Sequence, residues 1–157
     1  MTAREVKWEV EDLFDRYVQC LDEDRLEEWP EFFTDAAAYR IVARENVDRG
    51  YALATLSCDS KGMMIDRVVA IRRASVFSQR YLRHIVTNIR VAGQDGDCYL
   101  AQANYAVLQT THGEETKVFN AGRYVDKIVF VDGQPKFQEK VVIYDSLQIP
   151  GMLVIPI

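Results

Sequence analysis

Histidine is scarce in this chain and cysteine is scattered. Among 157 residues there are two histidines, His84 and His112, and three cysteines, Cys20, Cys58 and Cys98. No cysteine lies within three positions of another cysteine or of a histidine, so the paired spacing of an iron–sulfur or structural zinc site is missing. A mononuclear iron site of two histidines and a carboxylate would need both histidines at once, and His112 falls in a predicted turn far from His84. Nucleotide signatures are absent too: the eight glycines form neither GxGxxG nor GxxxxGK[ST], and there is no GxSxG nucleophile elbow. The N-terminal run MTAREVKWEVEDLF is charged throughout, so neither a secretory signal nor a membrane span is expected, and the expected compartment is the cytoplasm. An odd number of dispersed cysteines then reads as reduced, mostly buried thiols.

Net positive charge is lacking as well. The chain has 19 Lys and Arg against 24 Asp and Glu, a formal charge of -5, which argues against a nucleic-acid footprint. The local cluster Arg67, Arg72, Arg73, Arg80 and Arg83 reads instead as a solvated face or a docking surface for an acidic partner.

The regular structure is legible in the hydrophobic pattern. Val6, Val10, Leu13, Phe14, Tyr17, Val18 and Leu21 recur at three- and four-residue steps and predict an amphipathic helix, with Trp8 off the centre of its apolar stripe. Asp22 or Asp24 is placed to cap a second, shorter helix through Leu26, Trp29, Phe32 and Phe33, with Pro30 near its start. A strand at Ala37 to Ala43, a polar loop and a strand at Tyr51 to Leu56 follow, then a helix from Ser60 to Arg73. Four long runs rich in Val, Ile, Tyr and Phe come next: Leu82 to Val91, Cys98 to Gln109, Lys117 to Val131 and Phe137 to Asp145. The segments between them, GQDGD, HGEE and DGQP, supply turn residues. The prediction is one α+β domain over 1–157, with helices mainly at 2–33 and 60–73, an antiparallel meander at 82–145 and an apolar tail at 146–157. Gly122, inside the third run, marks a bend that lets the sheet curl around the N-terminal helices.

Both faces of this sheet carry apolar residues. Tyr99, Ala101, Ala103, Tyr105 and Val107 share one face of the second run, and Leu100, Gln102, Asn104, Ala106 and Leu108 the other, so both faces need cover. The tail SLQIPGMLVIPI would be a sticky patch if left free; it packs on its own domain or on another subunit. For acid/base chemistry the candidates are His84 with Asn88, Tyr105, Asn120, Tyr124, Tyr144 and Asp145, and a carboxylate beside His84 would come from Asp145 or Asp35. An interior histidine satisfied by hydrogen bonds is the other reading of His84, and the residues by themselves identify no catalytic group.

Four stretches carry a family resemblance: YVQCLDEDRLEEW, FFTDAAAYRIV, RYLRHIVTNIRV and VVIYDSLQIP. The chain resembles the small, or β, subunits of aromatic-ring-hydroxylating dioxygenases of the Rieske non-haem iron type, most specifically at Arg83 to Asn88. The FFTDAAAY junction is shared with the wider group resembling nuclear transport factor 2, scytalone dehydratase and ketosteroid isomerase. The resemblance implies a cone-shaped α+β barrel with a structural, non-catalytic role. It also implies no cofactor in this chain, and a large partner subunit carrying a Rieske [2Fe-2S] cluster and a mononuclear iron. An assembly of three large and three small chains is expected, fed by a separate NADH-dependent reductase. The tail looks most similar to subunits acting on carboxylated rings, terephthalate first and anthranilate or salicylate next. Subunit contacts are expected at Arg80, Arg83, His84, Ile149, Met152, Leu153, Ile155 and Ile157. The alternatives are a stand-alone dehydratase or isomerase using His84, and a ligand-binding cone without chemistry.

Overall fold

The computed structural model describes residues 1–74, 80–146 and 155–157. Helix α1 spans Ala3–Asp22 and starts in a capping box, in which the Thr2 hydroxyl accepts from the Glu5 N–H and the Glu5 carboxylate accepts from the Thr2 N–H. Its apolar stripe is buried as the pattern predicts except for the half-buried Val18, with Cys20 added, while Trp8 stays 65% exposed. Where residues 26–33 suggest a second helix, the chain makes only a 3-10 turn, Trp29–Phe32, with Pro30 at its start. Trp29 and Phe33 face inward edge-to-face against each other and against Tyr39; Phe33 is already extended, at φ -114° and ψ 155°, and opens the next strand, which ends the turn.

Strand β1 covers Phe33–Ala43, a short helix α2 covers Arg44–Asp48 in the predicted loop, and β2 is confined to Leu56–Cys58. Helix α3 is Lys61–Ala74, followed by β3 (Arg80–Asp95), β4 (Cys98–Thr111), β5 (Thr116–Val131) and β6 (Gln134–Tyr144). They form a six-stranded sheet in the order β2-β1-β6-β5-β4-β3. The meander β3 to β6 is antiparallel as expected, but β1 joins it parallel to β6, with Arg40 opposite Val141. That parallel pairing needs a long return path, which α2, β2, α3 and the meander provide.

The sheet wraps α1 and closes over one aromatic core. Phe14 and Tyr17 of α1 meet Tyr124 and Phe137 of the sheet at centroid separations of 5.4 to 6.0 Å. Register shifts at Thr87/Arg90, Val107/Leu108 and Lys127/Ile128 bend the long strands, as bulges do. Gly122 is required by a close approach: a Cβ there would lie 1.9 Å from the Ile143 carbonyl oxygen. The β5–β6 turn uses Asp132 and Gly133, both at positive φ, the two-residue geometry that suits the strand twist.

Candidate functional site

The concave face of the sheet gathers the polar residues. Register places His84 opposite Val107 and Val107 opposite Asn120, so His84 and Asn120 lie in one row across β3, β4 and β5, both buried. Tyr105 donates a short hydrogen bond to the Asn120 side-chain oxygen and stacks on Tyr124 at 4.5 Å. The Tyr124 hydroxyl and the Asn120 amide nitrogen are buried without a hydrogen-bond partner among the described residues. Burial pushes the Tyr105 and Tyr124 phenols well above the ordinary tyrosine range.

A carboxylate does reach His84, and it is neither Asp145 nor Asp35. Asp22, the last residue of α1, puts Oδ1 2.6 Å from His84 Nδ1, and Oδ2 accepts from the His84 backbone N–H at 3.0 Å. With a carboxylate as its partner, Nδ1 is the nitrogen that carries the proton. Asp145 turns instead to Arg44 at the surface, and Asp35 is exposed on β1. Nor does Asp22 cap a following helix; it ties the end of α1 to β3. Asp24 joins Glu27 in holding Arg72, which brings Glu27 down to about 2. Asn88 leaves the His84 face because the bulge after Thr87 breaks the alternation, and it is exposed at φ 55°. Tyr144 bonds the Thr55 hydroxyl at 2.7 Å.

A second buried pair has no counterpart in the sequence reading. Lys140 on β6 and Asp126 on β5 face each other in register, and Lys140 Nζ lies 3.1 Å from Asp126 Oδ2 with both side chains fully enclosed. The ammonium sits 3.6 Å from the Tyr124 ring centroid and 4.5 to 4.7 Å from those of Phe137, Tyr17 and Phe14, an aromatic cage around a cation. Burial pushes Asp126 up to about 6 and Lys140 down to about 8, each opposed by the charge of the other. The signal was present in the shared parity of Lys140 with Val142 and Tyr144. It could not be used, because Val141 and Ile143 make the other parity equally apolar.

The chain's end folds into the same cone. Ile157 is fully buried; its N–H donates to the Tyr39 hydroxyl at 3.0 Å, and its carbonyl oxygen accepts from Tyr39 at 2.9 Å and Tyr17 at 3.2 Å. Ile155 packs against the core and borders a cavity of about 340 Å³ together with Asp22, Ile71, Arg72, Arg80 and Leu82. His84 and Ile157, two residues expected at a subunit contact, thus spend their surface inside their own chain. Ile149, Met152 and Leu153 lie outside the described residues. Arg80 is half-buried beside Gln109, and Arg83 is exposed.

Comparison with known proteins places this cone in a family. Residues 2–140 match the SnoaL-like domain. The anthranilate 1,2-dioxygenase small subunit of Burkholderia cepacia is 35% identical over 150 residues, covering 96% of this chain and 93% of the relative. The chain is a SnoaL-like domain of the ring-dioxygenase small-subunit family. Among the other small subunits, the terephthalate 1,2-dioxygenase terminal oxygenase subunit beta 2 of Comamonas is 32% identical over 141 residues, covering 90% of this chain and 92% of its own. In three dimensions the chain superposes on the β subunit of a provisionally assigned aromatic-ring-hydroxylating dioxygenase from Novosphingobium aromaticivorans, with TM-score 0.90, 41% identity and 99% of each chain covered. As a small subunit of this kind, the chain is part of a multicomponent aromatic-ring dioxygenase, an oxidoreductase. A further match, at TM-score 0.69 and 17% identity, to a scytalone-dehydratase-like protein from the same organism reflects the shared fold. Among the described residues, no group of three His, Cys, Asp or Glu side chains is arranged to hold a metal, and no helix is long and apolar enough to cross a membrane.

Proposed function

We propose that this chain is the non-catalytic assembly subunit of a cytoplasmic dioxygenase that cis-dihydroxylates a carboxylated aromatic ring. Its partner is a large subunit holding a Rieske [2Fe-2S] cluster and a mononuclear iron, with electrons supplied by a separate NADH-dependent reductase. The observation that carries this reading is the near full-length match to small subunits whose own enzymes are named for anthranilate and terephthalate, both ring carboxylates. Terephthalate is kept as the first substrate to try and anthranilate as the next.

The residues of this chain do not fit either iron group. His84 Nδ1 is taken by Asp22, and His112 is exposed in the β4–β5 turn, about 16 Å further along the sheet at five residues' rise. The cysteines stand on α1, β2 and β4. The strongest interior groups are spent on one another: Asp22 on His84 and Asp126 on Lys140. These bonds join α1 to the sheet and β5 to β6, which is the work of a scaffold.

The test is to express the tagged chain in its native host during growth on aromatic carboxylates, identify co-eluting protein and assay iron. Recovery of a larger iron–sulfur chain is expected, within an assembly of three large and three small subunits. Recovery of only a metal-free monomer or homodimer would refute the proposal.

A further inference from the structure

The convex face of β3, β4 and β5 differs in charge from the rest of the molecule. Register stacks its outward residues in rows: Arg83, Leu108 and Val118, then Ile85, Ala106 and Ala121, then Thr87, Asn104 and Arg123, with Arg90 beside Gln102 at the end. No carboxylate occurs in these rows, although the chain carries 24 acidic residues and a net charge of -5. Of the acids close to these rows, Asp126 is buried on the opposite face of β5, Asp95 and Asp97 stand at one hairpin tip and Glu114 and Glu115 at the other, and Asp145, which borders the face beside Ala121, is paired with Arg44. Arg83, Arg90 and Arg123 are exposed and form no ion pair among the described residues, whereas Arg16, Arg25, Arg44, Arg49 and Arg72 all do. Between the arginines the face is apolar and open, with Ile85 52%, Tyr81 56% and Val118 65% exposed.

We infer that this convex face is the docking surface for the large oxygenase subunit, and that it meets a partner surface carrying carboxylates set among apolar side chains. The inference rests on the assembly role proposed above and adds where the partner sits. Charge selects the partner. Arginines left unpaired on a face without acids, in an otherwise acidic protein, complement an acidic surface, and arginine beside aliphatic and tyrosine side chains is the composition of interface anchors. Size agrees. Three strands spaced about 4.8 Å apart and ten residues long present roughly 400 Å², about half of one partner's share of a standard interface, so neighbouring surface must complete the contact. A second copy docked through the same face is a poorer fit, because a two-fold contact would set this basic face against itself.

The experiment compares the full-length wild-type chain with Arg83→Glu/Arg123→Glu and with Ile85→Asp, each tagged and expressed in the native host. Recovery of the large iron–sulfur chain is measured alongside far-UV circular dichroism and self-association by light scattering. Each variant is expected to keep its fold, since all three positions are exposed, and to hold the large chain at least about thirtyfold more weakly; wild-type recovery should also fall as salt rises. A charge reversal at Arg49, which is exposed and lies outside the face, should leave recovery unchanged. Undiminished recovery by both face variants would overturn the docking surface while leaving the assembly role intact. Loss of self-association with the large chain still bound would overturn it in favour of a second copy. If the wild type recovers no large iron–sulfur chain, the assembly role itself fails and the docking surface with it.

Discussion

Lys140 and Asp126 give the most exacting test of how this cone is held together. Both side chains are fully enclosed, 3.1 Å apart, and the ammonium is ringed by Phe14, Tyr17, Tyr124 and Phe137. Removing one partner leaves the other charge stranded, at a cost of about 3 to 5 kcal/mol; the aromatic cage can return up to about 2 kcal/mol to a desolvated lysine but nothing to a stranded aspartate. Asp126→Leu should therefore cost about 3 kcal/mol and Lys140→Met somewhat more. Asp126→Leu/Lys140→Met should cost much less than the two single changes together, because no buried charge remains. For a chain of this size each kcal/mol lowers Tm by about 2 to 4 °C, so the single variants should melt about 6 to 15 °C lower. The pH dependence has a definite sign. Asp126 is raised from 3.8 to about 6, so its contribution to stability is full below pH 3.8 and is lost as pH rises through 6. Lys140 is lowered from 10.5 to about 8, so its contribution is full above pH 10.5 and is lost as pH falls through 8. Relative to wild type, the doubly apolar variant should gain stability between pH 4 and 6 and lose it between pH 8 and 10.5. Urea melts of the four proteins across that range read both effects. Strictly additive single and double costs, or a flat difference between wild type and double variant, would refute the argument.

Other predictions follow from single contacts. Gly122→Ala should abolish soluble folding or cost more than about 3 kcal/mol, because its Cβ would sit 1.9 Å from the Ile143 carbonyl oxygen; a soluble variant with unchanged Tm would contradict the close approach. Asp22→Ala should cost about 2 to 3 kcal/mol by leaving the His84 N–H groups unsatisfied, and Asp22→Asn less, as read by chemical denaturation. Phe14→Ala should cost about 3 to 5 kcal/mol, since its ring fills the space between Tyr124 and Phe137. Trp8→Gln, at a 65% exposed position, should stay within about 0.5 kcal/mol of wild type.

Local pattern determined a good deal of this protein. The stripe from Val6 to Leu21 specified α1 almost to the residue, and the four β-rich runs with their turn residues specified β3 to β6, because helical and strand periodicity and turn chemistry act over a few residues. The absence of paired metal ligands and the YVQCLDEDRLEEW, RHIVTN and VVIYDSLQIP stretches pointed to the small-subunit family. What only the tertiary structure decided are the pairings between distant segments. Asp22 and His84 are 62 residues apart, and local pattern allowed Asp22 a helix cap just as well. Lys140 lies inside because the register shift at Lys127/Ile128 and the packing of α1 chose one of two equally apolar faces of β6. β1 runs parallel to β6, and the arginines of β3 and β5 share one acid-free face, because strand order and register are fixed by burial over the whole sheet, and no single strand carries that information.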